Sequence, residues 1–162
     1  MKRLLIVGVF GAASLAAGVA IAAAATTRVS AATVSVKTIG GAGKVLVDAK
    51  GHALYVNDQE RRGMVLCTGA CLSFWKPLTI SGTPKGNSLP GKLAVAKRPD
   101  GSKQVTYNGK LLYSFALDKP GRVTGDGFKD AFSGQKFSWH VAHPTKTAVS
   151  SGTAVTNSHP GY

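Results

Sequence analysis

The sequence predicts an all-β fold: a small antiparallel meander, sandwich or barrel-like domain built from two pseudo-repeats and preceded by a signal peptide. Three observations carry this expectation. Short runs alternate apolar with polar residues, the period of a half-buried strand, and no long run has the spacing of an amphipathic helix. Glycine, proline and asparagine punctuate those runs at turn positions. Finally, Lys103–Asp118, KQVTYNGKLLYSFALD, has an echo in Val45–Glu60, VLVDAKGHALYVNDQE. Val47 aligns with Val105, Gly51 with Gly109, Leu54 with Leu112, Tyr55 with Tyr113 and Glu60 with Asp118, and each copy is followed by a tryptophan, Trp75 or Trp139.

Residues 1–32 read as a secretory signal. Lys2 and Arg3 form its charged start, Leu4–Ala25 an uncharged apolar run, and Ser30, Ala31 and Ala32 a small-residue cleavage site. An uncleaved membrane anchor is the alternative, because the run is as long as a span. No cysteine follows the apolar run, so a lipid-attachment site is missing. Residues 33–144 then hold the β domain, with repeats at about 44–80 and 92–144, and 145–162 reads as a flexible tail.

Thr33–Ile39 alternates as a strand does. Gly40–Gly43 interrupts it, and Val45–Val47 and Ala53–Asn57 form a hairpin across Asp48–Gly51. Ala70–Trp75 offers one helical turn, stopped by Pro77, and Ser81–Gly91 is a loop by composition. Leu93–Lys97 and Gln104–Tyr107 flank the turn Arg98-Pro99-Asp100-Gly101. Asn108-Gly109 is a strong hairpin signal, and Leu111–Phe115 is the returning strand, with Leu111, Tyr113 and Phe115 on one face. Lys119–Gly127 is a glycine-rich loop and Lys136–Ala142 the last strand. The expectation is about seven strands around a small core in which Tyr55, Phe74, Trp75, Tyr107, Tyr113, Phe115, Phe137 and Trp139 carry much of the burial.

Tyr113-Ser114-Phe115-Ala116-Leu117-Asp118 resembles the Y-x-[FWY]-x-x-D motif of a family of predicted bacterial lipoproteins, also described as a secreted repeat of unknown function. Cys67, Cys71, Trp75 and Pro77 resemble the C-x-x-x-C and W-P-P continuation of that family's first copy, and Gly121, Gly125, Gly127 and Trp139 the end of its second. The first copy departs at Asn57, which takes the aromatic place, at Glu60, which takes the aspartate's, and at Lys76, which replaces a proline. The resemblance implies a repeat architecture and a secreted or envelope location, and it implies no activity.

Cys67 and Cys71 are the only cysteines, in a chain marked for export, so a short-range disulfide is expected. The alternative is a redox or copper site in which the two thiolates take Cu(I) with a third ligand from His140, His143, His52 or Met64. Tyr55, Glu60, Trp75, Tyr113, Phe115, Asp118 and Trp139 form the motif set. They read either as a face that stacks rings on a flat ligand or as a staple repeated in each copy, in which Asp118 accepts N–H groups of the Lys119-Pro120-Gly121 turn. No residue is assigned a catalytic role: Ser88, Ser114 and Ser133 lack a nucleophile-elbow setting, and Asp118, Asp126 and Asp130 form no calcium loop.

The formal charge of +13 falls only by Lys2, Arg3 and Arg28 when residues 1–32 are removed. In an exported protein that balance points to anionic cell-envelope polymer or a membrane surface rather than nucleic acid. The functional expectation is a secreted, non-catalytic binding or interaction module without a cofactor. The alternative is an envelope redox or copper-binding protein that uses the Cys67/Cys71 pair.

Overall fold

The computed structural model describes residues 33–61 and 63–146. The expected signal segment 1–32 and most of the expected tail lie outside the described residues.

The described residues form eleven short strands and one 3-10 turn. They are β1 (Thr33–Ile39), β2 (Gly43–Val47), β3 (Leu54–Asn57), β4 (Trp75–Pro77), β5 (Lys85–Asn87), β6 (Leu93–Lys97), β7 (Lys103–Tyr107), β8 (Lys110–Leu111), β9 (Tyr113–Phe115), β10 (Lys129–Phe132) and β11 (Gln135–Val141). The 3-10 turn spans Gly69–Ser73. The all-β class is thus as expected, but there are more strands than the roughly seven that alternation marked. β4, β5, β8 and β10 hold two to four residues each, too few for a period of two to register. β5 lies within the stretch read as loop, and Leu112 divides the predicted return strand into β8 and β9.

Turn chemistry explains the hairpins. Asn108 and Gly109 both take positive φ, 49° and 79°, as a two-residue turn matched to strand twist requires. Ser133-Gly134 repeats the device at 49° and 82° between β10 and β11, a turn the sequence reading passed over although serine-glycine is a turn dipeptide.

Three sheets form, in the orders β2-β1-β5, β10-β11-β3-β9-β4 and β6-β7-β8. The middle sheet is where the two copies meet. β3 of the first copy pairs antiparallel with β9 of the second, with Tyr55 opposite Tyr113. On the far side of β3 lies β11, carrying the second copy's tryptophan, with Trp139 opposite Asn57. On the far side of β9 lies β4, carrying the first copy's tryptophan, with Trp75 opposite Phe115. Each copy's tryptophan strand therefore pairs with the other copy's tyrosine strand. The equivalence of Asn57 and Phe115 in the two repeats makes this a local two-fold arrangement centred on the Tyr55–Tyr113 pair.

Because side chains alternate across a strand, the middle sheet has a core on each face. Tyr55, Tyr113, Phe115, Trp75, Trp139 and Val141 belong to one, together with Phe137 and both cysteines. Leu54, Leu112 and Ala142 belong to the other, with Val34, Leu46 and Val105. Phe74 is a correction to the expected core: it is 45% exposed, because it follows the 3-10 turn directly and Trp75, its neighbour, takes the inward position. The edge strands β4 and β10 share no backbone ladder, yet side chains link them. Trp75 donates its indole N–H to Asp130 on β10 at 2.7 Å, and Phe74 stacks on Phe132 with centroids 6.0 Å apart. The sheet thus rolls toward a barrel without closing.

Candidate functional site

The motif residues converge, and they do so by exchange between the copies. Tyr55 of the first copy donates its hydroxyl to Asp118 of the second. Tyr113 of the second donates to Glu60 of the first at 2.9 Å. All four side chains are buried. The sequence offered either a ring-stacking face or a staple repeated in each copy; the register of β3 against β9 places each tyrosine beside the other copy's acid.

Each carboxylate also organises a loop. Asp118 accepts the N–H and the hydroxyl of Thr124, at 2.9 and 2.6 Å. Its acceptors are therefore satisfied beyond the Lys119-Pro120-Gly121 turn that sequence reasoning had assigned to it. Glu60 Oε1 accepts the N–H groups of Leu66 and Cys67, both at 2.7 Å. Its Oε2 accepts Asn57 Nδ2 at 2.8 Å. That bond accounts for Asn57 at the aromatic place: its amide holds the acid, and its Oδ1 caps the backbone of Gln59 and Glu60. In the second copy, Phe115 fills the same place and stacks on Trp75 with centroids 4.5 Å apart.

Burial pushes both tyrosine hydroxyls up from their ordinary value, with the Asp118 hydrogen bond adding to the effect at Tyr55 and the Glu60 charge at Tyr113. Both remain neutral donors throughout the physiological range.

The two tryptophans stack with centroids 3.9 Å apart and planes within 10°. Asp130 bridges them, accepting Trp75 Nε1 on one oxygen and Trp139 Nε1 on the other, at 2.7 and 3.0 Å. Gly125 completes the packing: a Cβ there would lie 2.9 Å from the Trp75 ring and 3.1 Å from that of Phe115, and its N–H reaches the Tyr55 hydroxyl at 3.2 Å. Trp75, Tyr113 and Trp139 are fully buried and Phe115 nearly so, so these rings do not offer themselves to a ligand in solution.

Cys67 and Cys71 form a disulfide with Cα atoms 5.4 Å apart, and both are buried. The buried guanidinium of Arg98 holds the bridge's loop. It donates from Nη2 to the Cys67 carbonyl at 2.7 Å and from Nη1 to Gln104 and to the Tyr113 hydroxyl. Its Nε makes no hydrogen bond and faces the Asp100 carboxylate at 3.9 Å. Arg98, Gln104, Asn57 and Asp130 were not singled out from the sequence as parts of this network. Arg98 read only as the start of a turn, and no local pattern tells a buried arginine from an exposed one.

The three histidines offered as third ligands in the copper reading have other partners. His140 is exposed and meets Asp58 at 3.0 Å, and His143 meets the Lys44 carbonyl at 2.8 Å. His52 sits against Asp48. Among the described residues no group of three or more histidine, cysteine, aspartate or glutamate side chains converges.

This geometry defines a two-repeat, all-β module whose copies are interlocked through one sheet. Residues 94–143 match the model of a family described as a secreted repeat of unknown function, and Tyr113, Phe115 and Asp118 lie within the matched stretch. No curated protein and no solved structure matches the chain. Among the described residues, no helix is long and apolar enough to cross a membrane.

Proposed function

We propose that the protein is a secreted, non-catalytic interaction module that docks on anionic polymer of the cell envelope through its basic exterior. One observation carries this reading: the fold engages its carboxylates in hydrogen bonds and leaves its lysines exposed, without carboxylate partners. Each of the seven acidic residues accepts a hydrogen bond from the fold. Glu60, Asp118 and Asp130 hold the interlock. Asp48 and Asp100 cap turns, Asp126 accepts the Val141 N–H at 2.9 Å, and Asp58 meets His140. Every lysine of the described residues is exposed. The ion pairs of those residues are His52–Asp48, Arg98–Asp100 and His140–Asp58, and none uses a lysine. Lysine charge left without a nearby carboxylate projects a positive potential suited to a polyphosphate or polycarboxylate chain.

Secretion as described for the matched family supports an encounter with such polymers outside the cell. The test is binding of the mature protein to a soluble polyphosphate chain across a salt titration. Affinity is expected to fall linearly in log–log form as counterion release is suppressed. Failure to bind at low ionic strength would sink the reading.

A further inference from the structure

We infer that the β4/β10 seam is a docking surface for an anionic phospholipid bilayer; this rests on the electrostatic reading above and names the partner that one face of the molecule fits. Three of the large apolar side chains left exposed gather there. Leu117 is 68% exposed, Phe74 45% and Phe128 44%. Their neighbourhood is fixed by contacts. The Phe74 carbonyl accepts the N–H of Ala116, which precedes Leu117. Phe128 packs on Phe115 and Trp75, with centroids 5.5 and 6.2 Å away. Phe74 is braced by its stack on Phe132. The two phenylalanine tips are thus braced by other rings, Phe128 by Trp75 and Phe115, and Phe74 by Phe132, and spend little conformational entropy when they enter another phase.

The surroundings decide the partner. Lys119 and Arg122 line a shallow groove together with Leu117. Lys129 adjoins Phe128, and Lys76 adjoins Trp75 in the chain; both are exposed. The nearby acids are occupied: Asp118 by Tyr55 and Thr124, Asp130 by the two indoles, and Asp126 by the Val141 N–H. Apolar tips flanked by cations that have no carboxylate partner, with Lys76 Nζ donating only to the Leu72 carbonyl, match the boundary between acyl chains and anionic headgroups, where rings and leucine enter the interface while lysine and arginine stay at the phosphates. A second copy of the chain would bring a like-charged surface against the same cations, which disfavours it as the occupant.

The experiment compares vesicles of phosphatidylcholine with vesicles containing phosphatidylglycerol, and both with soluble polyphosphate. Wild-type protein is expected to bind the phosphatidylglycerol vesicles and the polyphosphate. Leu117→Gln leaves the charge unchanged and alters an exposed side chain, so the fold is kept. It is expected to weaken vesicle binding about ten-fold, the scale of one leucine withdrawn from an apolar phase, and to leave polyphosphate binding unchanged. Leu117→Trp adds an indole whose emission is expected to shift to the blue on phosphatidylglycerol vesicles. Equal vesicle affinity for wild type and Leu117→Gln, or no emission shift for Leu117→Trp, overturns the seam as a bilayer surface while polyphosphate binding still stands. Loss of binding to polyphosphate and vesicles alike in the wild type overturns the electrostatic reading itself.

Discussion

Tyr55 and Tyr113 each hand a proton-bearing oxygen to a carboxylate supplied by the other half of the chain. The two bonds are not equal in what depends on them. Without the Tyr113 hydroxyl, Glu60 Oε1 keeps the N–H groups of Leu66 and Cys67, and Arg98 Nη1, which also donates to that hydroxyl, keeps Gln104. Without the Tyr55 hydroxyl, the Gly125 N–H and the Asp118 Oδ2 both lose a buried partner. Tyr55→Phe is therefore expected to cost about 2–3 kcal/mol and Tyr113→Phe about 1 kcal/mol, measured by denaturant unfolding; the reverse order would contradict this hydrogen-bond assignment. Because both hydroxyls are raised in the fold, the folded state favours their protonated forms. The stability they contribute is complete below the ordinary tyrosine value of about 10 and is lost as pH rises above it. Unfolding at pH 9 to 12 is expected to steepen in the wild type and to do so less in the Tyr55→Phe, Tyr113→Phe double variant. A tyrosinate absorbance rise that precedes unfolding in the wild type and shrinks in the double variant would contradict the burial of these groups.

At the scale of elements, the disulfide closes a loop with a sequence separation of only four. A loop so short removes little freedom from the unfolded chain, about 2 kcal/mol in the entropic account. The same loop is held independently, by Glu60 at the Cys67 N–H and by Arg98 at the Cys67 carbonyl. The Cys67→Ala, Cys71→Ala variant is thus expected to remain folded, with a melting temperature lower by several degrees and a near-ultraviolet tryptophan signal close to that of the wild type. Collapse of that signal would show that the bridge, rather than the Glu60–Arg98 network, positions Trp75. Alternation in the sequence placed Leu111, Tyr113 and Phe115 on one face, and all three lie in one core. It did not reveal β4 or β10, whose roles come from Trp75 and Asp130 meeting across the seam.

For the whole molecule, the exchange of strands means that neither repeat can complete its own sheet. β3 needs β9 and β11 from the second copy, and β9 needs β3 and β4 from the first. A chain divided in the Ser88–Gly91 loop is expected to yield two fragments that are each unfolded alone and that regain the stacked-tryptophan signal when mixed. Cooperative melting of either fragment by itself would show the repeats to be independent. The same interlock leaves the exterior free of structural duty, which is why the lysines and the Leu117 seam can serve a partner without loosening the core.

The hairpin expected across Asp48–Gly51 keeps a single bridge, Val47 with Ala53, before β2 and β3 part into different sheets. The sequence by itself determined the all-β class, the two copies, the turn at Asp48–Gly51, the hairpin at Asn108-Gly109 and the expectation of a Cys67–Cys71 disulfide. These follow from local causes: a two-residue period, backbone angles that glycine and asparagine tolerate, and a chain with two cysteines four positions apart. Only the tertiary structure decided that Tyr55 answers to Asp118 and Tyr113 to Glu60, that Arg98 is buried on the disulfide loop, and that Asp130 joins the indoles. Those partners stand 63, 53, 31 and, for Trp75 and Asp130, 55 residues apart. A repeated pattern is the same whether each copy satisfies its own groups or its twin's. The choice was made by the register of β3 on β9, where setting Tyr55 against Tyr113 carries each hydroxyl across the two-fold to the other copy's acid.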